Sequence, residues 1–212
     1  MPNEHGARPV DRVAASLLAR LGGAAQPARR GGTAAPMFGD SAPIWRFLAI
    51  LGAAHDPLAA RDAAAGRFVM EVFPALALPA LVPAIWSRRQ AARYNPARRF
   101  LPDDWRLVAT GTADAARALG AHALADWAQD AAALDRPRKP DQDRLDAAIC
   151  LLVALCWRHG PPAATLQLGD ACTGLLATIA TGEVRAVLAA AARLGVAVNV
   201  PASQQGKEAV LS

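Results

Sequence analysis

The chain has 212 residues, 53% of them hydrophobic but only 5% aromatic, and it carries 23 lysines and arginines against 18 acids, a net charge of +5. This length suits one domain, or two at most, with a sizeable core, and the basic excess suits a polyanionic partner without requiring one. Three cysteines and four scattered histidines exclude a disulfide framework and a zinc-binding spacing. The cysteines are therefore interpreted as small buried hydrophobes in a reducing compartment.

The sequence has neither a secretory signal in its first residues nor an apolar run of membrane-spanning length. The N-terminal stretch 1–12 is polar and has no secretory pattern. The longest clean apolar run, 147–157, has about half the length that a membrane span requires. We therefore expect a cytoplasmic protein that does not contact a membrane.

Helical patterns dominate the first 66 residues. Apolar side chains recur at helical spacing over 9–22, where a glycine pair ends the run. A loop rich in Gly, Ala, Pro and Arg is predicted over 24–43. A helix over 43–52 and a short helix over 56–66 follow. No strand is predicted in this part of the chain.

The character of the chain changes after Gly66. The stretch 67–73, RFVMEVF, has the β-branched and aromatic content of a strand. Residues 75–86 predict a proline-broken helical piece, and a basic stretch with interleaved aromatics follows. Residues 112–134 then predict one long alanine-rich helix.

The C-terminal third alternates between helix and strand patterns. An apolar helix is predicted over 140–157, a strand over 174–180, a helix over 182–195 and a short strand over 196–200. With at least five helices and about three short strands, the sequence predicts an α/β protein that is rich in helix and has a small sheet.

Three aspartates crowd the start of the 140–157 helix, which turns apolar after them. Acids in a first turn accept hydrogen bonds from free N–H groups and oppose the helix dipole, which accounts well for Asp141 and adequately for Asp143. Asp146 is explained less well, because the helix should be a turn deep by then. Asp143 and Asp146 stand three residues apart and share a helix face. A metal site is therefore the second interpretation.

Glu71 is the one acid of the predicted strand 67–73. The neighbouring side chains are apolar on both alternating faces, the pattern of a strand that is covered on both sides. A carboxylate in that position is protonated, lies at a sheet edge, pairs with an arginine, or faces a site. The functional interpretation is a ligand for a hard divalent cation, which prefers oxygen donors.

Five arginines lie within twelve residues of the basic stretch, with one aromatic residue among them and one on either side. Guanidinium groups neutralise phosphates and aromatic rings stack on bases, so this composition is typical of a nucleic-acid contact. A solvated surface loop has the same composition, and both interpretations stay open. The arginines are Arg88, Arg89, Arg93, Arg98 and Arg99, and the aromatics are Trp86, Tyr94 and Phe100.

Four stretches form an ordered set: PNEHGARPVDR (2–12), RFVMEVFPALAL (67–78), DRLDAAICLLVAL (143–155) and LGDACTGLLATIATGEVRAVLAAAARLGV (168–196). In this order they resemble the family catalogued as domain of unknown function 429, whose members are regarded as predicted nucleases with an RNase H-like fold. The third stretch is also similar to the Asp-x-x-Asp-Ala turn of Holliday-junction resolvases of the same superfamily. The resemblance spans residues 2–199.

The resemblance implies metal-dependent hydrolysis of phosphodiester bonds in nucleic acid. Carboxylates from strands and one late helix of this superfamily hold two Mg²⁺ or Mn²⁺ ions, of which one activates water and the other stabilises the leaving oxygen. Carried onto this chain, it makes Asp146 the ligand from the helix, Asp143 its companion and Glu71 an acid from a strand. These three would be both the metal ligands and the catalytic residues.

The family's first strand, with its aspartate, and its next acid-ending strand have no counterpart before Pro2. We therefore expect an RNase H-like fold that is incomplete at its N-terminus and has a small mixed sheet. Because one or two of the family's acids are then absent, the shortened chain is either a nuclease or an inactive remnant of one. It would form a single domain over 1–200, with a helical insertion at about 75–136 and a disordered tail over 201–212.

Two other functions remain open. One is a non-catalytic module that binds nucleic acid or protein with the same fold. In that case the arginines matter and the acids do not. The other is a helical scaffold whose acids only cap helices.

Overall fold

The computed structural model describes residues 7–24, 39–170, 172–190 and 195–199. Within these ranges the chain is α/β and rich in helix. Its helices are α1 (Pro9–Arg20), α2 (Pro43–Leu51), α3 (Pro57–Asp62), α4 (Pro74–Leu81), α5 (Pro83–Ser87), α6 (Pro102–Ala118), α7 (His122–Ala132), α8 (Lys139–His159) and α9 (Gly182–Ala190). Its strands are β1 (Thr165–Asp170), β2 (Gly174–Ile179) and β3 (Val198–Asn199), and a 3₁₀ turn, Pro162–Ala164, precedes β1.

Proline sets where most of these helices begin. It is the first residue of each helix from α1 to α6, a position where its fixed φ suits a helix and its missing N–H costs nothing. The predicted proline-broken helical piece is accordingly confirmed as two helices, α4 and α5. A new helix begins at each of these prolines, so the helices before residue 88 are short.

The sheet has three antiparallel strands in the order β2-β1-β3. Strand β2 confirms the prediction over 174–180, and β3 confirms a two-residue part of the prediction over 196–200. The central strand, β1, was not predicted. Its sequence, TLQLGD, is short and puts the polar Gln167 between two leucines, yet its first five residues are buried.

The prediction of a strand over 67–73 is wrong in its extent. This stretch makes two isolated parallel bridges, Ala54 to Phe68 and Val72 to Ala177, and no continuous ladder. The Ala177 amide donates to the Glu71 carbonyl at 2.9 Å, which holds the stretch against β2. The chain then turns into α4 at once, so pairing does not extend. The expected mixed sheet is therefore antiparallel in its three strands and has parallel contacts only at these bridges.

The prediction of one helix over 112–134 is also wrong. The chain instead forms α6 and α7, separated at Gly120, which has φ +72°. Glycine adopts this left-handed conformation without the steric cost that other residues meet. The indole of Trp105, near the start of α6, donates to the carbonyl of Ala131, near the end of α7, at 2.8 Å. The two helices therefore pack side by side in opposite directions.

Two large hydrophobic clusters and a small third one, made of Ala116, Ala125 and Leu152, form the core of the described residues. One large cluster joins α6 and α8 to the end of β2, with Trp105, Leu145, Ile149 and Ile179 among its members. The other large cluster lies between the sheet and helices α1 and α9, and includes Leu17, Leu166, Leu168 and Leu188. Helix α8 thus packs against the sheet through its apolar face, while its acidic start lies at the margin of the first cluster.

Several predictions fall outside the described residues. These are the tail over 201–212, most of the loop over 24–43 and the start of the first resembling stretch. None of the described helices is both long and apolar enough to cross a membrane.

Candidate functional site

Asp146 lies in the second turn of α8 and is partly buried. The hydroxyl of Tyr94 donates to its Oδ1 at 2.8 Å, and the amide of Gln142 donates to its Oδ2. Burial raises the pKa of Asp146 to about 6 from its usual 3.8, although the Tyr94 bond and the charge of Lys139 favour the ionised form. Asp146 lies too far into α8 to cap the helix, and it forms no salt bridge with any residue that the structure describes.

The two preceding aspartates have simpler surroundings. Asp141 accepts from the backbone N–H of Arg138 at 2.8 Å, so it caps the start of α8. The side chain of Asp143 is exposed and pairs with the ammonium group of Lys139 at 2.5 Å, one helical turn away. Asp143 is accordingly an accessible carboxylate close in sequence to Asp146, held only by a surface ion pair.

Glu71 is engaged by an arginine that the sequence did not single out. The Nη1 and Nη2 atoms of Arg8 donate to the two carboxylate oxygens of Glu71 at 2.7 and 2.5 Å. The same guanidinium donates from Nε and Nη2 to Asp11 at 3.0 and 2.8 Å. Arg8 and Asp11 are buried, and the two carboxylates keep the pKa of Arg8 above its usual value despite burial. The one signal in the sequence was the Arg-Pro-x-Asp start of α1.

The arginine segment, residues 88–99, has one anchored and several free guanidinium groups. Arg88 pairs with Asp104 at 2.7 Å, and Asp104 also accepts from the backbone N–H of Arg93 at 2.6 Å. The other arginines are exposed, and none of their side chains makes an ion pair or hydrogen bond with the residues that the structure describes. These are Arg89, Arg93, Arg98 and Arg99.

A family model described as "Protein of unknown function (DUF429)" matches residues 1–167. The chain belongs to this family. No curated protein and no solved structure matches the chain. The matched residues include Glu71, Asp143, Asp146 and the arginine segment of the DUF429 chain, whereas the resembling stretch 168–196 lies beyond them.

The aromatic side chains in and beside the arginine segment are buried or partly buried in this DUF429 protein. Tyr94 is 8% exposed, and its ring belongs to the core beside α8. Trp86 and Phe100 are partly buried and pack against the same cluster. The burial of Tyr94 disfavours stacking of a base on its ring, and stacking on Trp86 or Phe100 stays a prediction. What the segment offers to a partner is its guanidinium groups.

The oxygen donors of a metal site are only partly assembled in the DUF429 chain. In the part of the chain with described coordinates, no three His, Cys, Asp or Glu side chains are grouped so as to hold a metal ion. Asp143 and Asp146 supply two carboxylates from one helix start, but both oxygens of Glu71 are occupied by Arg8. The convergence expected of all three acids is not seen, and the ligand roles of the individual acids stay predictions.

Proposed function

We propose that this DUF429 protein is an RNase H-like nuclease that hydrolyses phosphodiester bonds in nucleic acid with Mg²⁺ or Mn²⁺. The observation that carries the proposal is the hydrogen bond from Tyr94 to Asp146, 2.8 Å long. Tyr94 belongs to the arginine segment, so this bond joins a cationic segment to the carboxylate at the start of α8. A phosphodiester substrate would use both features. The arginines would bind its anionic phosphates, and the carboxylate would serve at the place where charge develops during hydrolysis.

The arginine segment supports the part of the proposal that concerns substrate binding. Its exposed arginines carry positive charge that no described carboxylate neutralises, and a guanidinium group binds phosphate oxygens in a bidentate manner. Arg88 is held by Asp104, so its role is to fix the segment rather than to reach a ligand. Binding through phosphates is independent of base sequence and weakens steeply as salt concentration rises.

The start of α8 supports the hydrolytic part. Asp146 and Asp143 would provide carboxylate oxygens to a hard divalent cation, which prefers such ligands. When bound, such a cation would supply an activated water and stabilise the leaving oxygen. Tyr94 and Gln142 orient the two oxygens of Asp146 in advance. Glu71 would have to leave Arg8 to join them, so it is the weakest member of the predicted set.

The RNase H-like fold is itself part of the proposal. The fold assignment is supported by the position of α8, a helix that begins with acidic residues. Ile149 of α8 and Ile179 at the end of β2 belong to the same buried cluster. Membership of the DUF429 family adds to this support, because the family is regarded as RNase H-like.

A cleavage assay tests this proposal with a labelled single strand and a labelled duplex, each as DNA and as RNA. We expect products with Mg²⁺ or Mn²⁺ and none with a chelator. Asp146→Asn should slow cleavage by about a hundredfold or more, whereas Asp114→Asn should not, since Asp114 is an exposed aspartate on α6 that pairs with Arg117. Absence of cleavage by the wild-type chain with every substrate and both ions would reject the nuclease proposal.

The second candidate is a non-catalytic module that binds nucleic acid. The bidentate pairing of Glu71 with Arg8 favours it, because a carboxylate held in that way is not available to a metal ion. Fluorescence anisotropy with a labelled oligonucleotide separates the two. Salt-sensitive binding without cleavage that survives Asp146→Asn identifies the module. Loss of that binding when Arg89, Arg98 and Arg99 become glutamine assigns it to the arginine segment.

A further inference from the structure

A buried arginine lies at the opposite end of α8 from the acids. Arg61, near the end of α3, is 6% exposed. Its guanidinium group lies over the indole of Trp157, 4.9 Å from the ring centroid, and its Nη2 donates to the hydroxyl of Thr165. Its Nε is buried and has no hydrogen-bond partner among the described residues. A buried N–H donor without an acceptor is costly and calls for an explanation.

A second arginine reaches the same residue from the other side. Arg185, in the first turn of α9, directs its Nη2 to the carbonyl of Ala163 and, at 3.4 Å, to the carbonyl of Thr165. Its Nη1 is also buried without a described partner. The position of Arg185 in the helix is also unfavourable, because a cation in the first turn opposes the helix dipole. Two guanidinium groups, each with one donor unused among the described residues, therefore contact Thr165, one at its hydroxyl and the other at its backbone carbonyl.

The charge around Thr165 is not balanced by described ion pairs. Arg158 adds a third guanidinium group, which donates to the carbonyls of Ala60 and Arg61 at 3.1 and 2.5 Å. None of the three arginines makes a salt bridge with a carboxylate in the described ranges. Burial lowers the pKa of Arg61, and the charge of the neighbouring Asp62 only partly opposes this. A buried cation without a paired anion is unfavourable, so an added anion would stabilise this region.

We propose that Arg61 and Arg185 form a site for a phosphate group, as free phosphate or as part of a nucleic-acid backbone. Thr165 positions Arg61 through its hydroxyl, which itself donates to the carbonyl of Pro162. Phosphate oxygens match the unused N–H donors, and guanidinium groups bind phosphate with charge-assisted hydrogen bonds. The start of α9 contributes positive potential of its own. Trp157 is eleven residues beyond Asp146 on α8, so the site lies about 16 Å along the helix axis from the acids. The site is independent of the proposed nuclease function.

Thermal unfolding of the full chain in sodium phosphate, against sodium chloride of equal ionic strength, tests the phosphate site. Phosphate should raise the melting temperature of the wild type, and chloride should not. In Arg185→Gln, loss of a charge-assisted hydrogen bond should weaken the apparent affinity for phosphate about tenfold or more. The control is Arg106→Gln, since Arg106 is exposed and pairs with Asp103 on α6. It should keep the wild-type response.

A second variant controls for loss of folding, and a competition experiment separates free phosphate from backbone phosphate. Arg61→Lys keeps the charge but loses the planar donor set, so it should fold and respond weakly. If that variant does not fold, Arg185→Gln alone decides the outcome. Competition between phosphate and a short single-stranded oligonucleotide identifies a backbone phosphate, and its absence identifies a free one. An equal response of wild type and Arg185→Gln, or no excess of phosphate over chloride, overturns the proposal.

Discussion

Arg8 directs its two Nη atoms at the two carboxylate oxygens of Glu71, at 2.7 and 2.5 Å, from a position 63 residues earlier in the chain. The pair fastens the start of α1 to the extended stretch that runs along β2. Asp11 completes the cluster from inside α1. An acid that the sequence predicts as a metal ligand thus has a structural partner, and this relationship gives the first prediction.

Removal of Arg8 should destabilise the fold strongly. Arg8→Ala leaves Asp11 buried without its cation, and loss of one partner of a buried ion pair costs about 3 kcal/mol or more. Arg12→Ala, which removes an exposed arginine from the same helix, should change stability by less than about 0.5 kcal/mol. Urea unfolding measures both free energies. Similar values for the two variants would show that the Arg8 cluster contributes little.

The pKa of Asp146 predicts how stability depends on pH. Its folded pKa is about 6 and its usual value 3.8, so folding favours the protonated form. The stabilisation is fully present below about pH 4 and is lost as pH rises through 6. Between these limits the free energy of unfolding of the wild type should fall relative to that of Asp146→Asn by on the order of 2 kcal/mol. Parallel pH profiles of the two proteins would contradict this environment for Asp146.

The cysteines should differ in their reactivity towards an alkylating reagent. Burial raises the pKa of Cys150 to about 11, and the nearby Asp146 adds to the shift. Burial also raises the pKa of Cys156. Cys172 is exposed, so the prediction that the cysteines are buried is wrong for this residue. Because the thiolate is the reactive form, Cys172 should be modified at least about tenfold faster near pH 8. Mass spectrometry of digested samples measures the rates, and faster labelling of Cys150 would be inconsistent with its burial.

A close contact between α6 and Val82, the residue that joins α4 to α5, makes Gly111 sensitive to substitution. A Cβ atom at Gly111 in α6 would lie 2.6 Å from Cγ2 of Val82, so Gly111→Ala should destabilise the protein by about 1–3 kcal/mol. The second substitution Val82→Ala should recover part of that loss. At Gly182 a Cβ atom would meet nothing within 4 Å, and Gly182→Ala serves as the control. Equal effects at the two glycines would argue against this packing.

The sequence allowed prediction of those elements whose signals are local. Proline at a helix start and apolar side chains at helical spacing were sufficient for α1, α4, α5 and α8. Local signals failed where a distant contact decides the structure. Strand β1 exists because it pairs on both sides, with β2 and β3, and the break at Gly120 exists because α7 folds back along α6.

The same distinction applies to the candidate site. Composition identified Asp146 and the arginine segment, and the short spacing identified Asp143 as its neighbour. The partners Tyr94 and Arg8 could not be predicted, because each reaches its acid across more than fifty residues of sequence. Whether an acid is free, paired or partly buried depends on such contacts.

The rate of metal-dependent cleavage by wild type, Asp146→Asn and Asp114→Asn tests the central claim most directly. We predict that wild type and Asp114→Asn cut a labelled nucleic acid with Mn²⁺ at similar rates, and that Asp146→Asn is slower by about a hundredfold or more. All three should still bind the substrate, because the arginine segment is unchanged. Equal rates for wild type and Asp146→Asn would contradict the claim that this carboxylate serves hydrolysis.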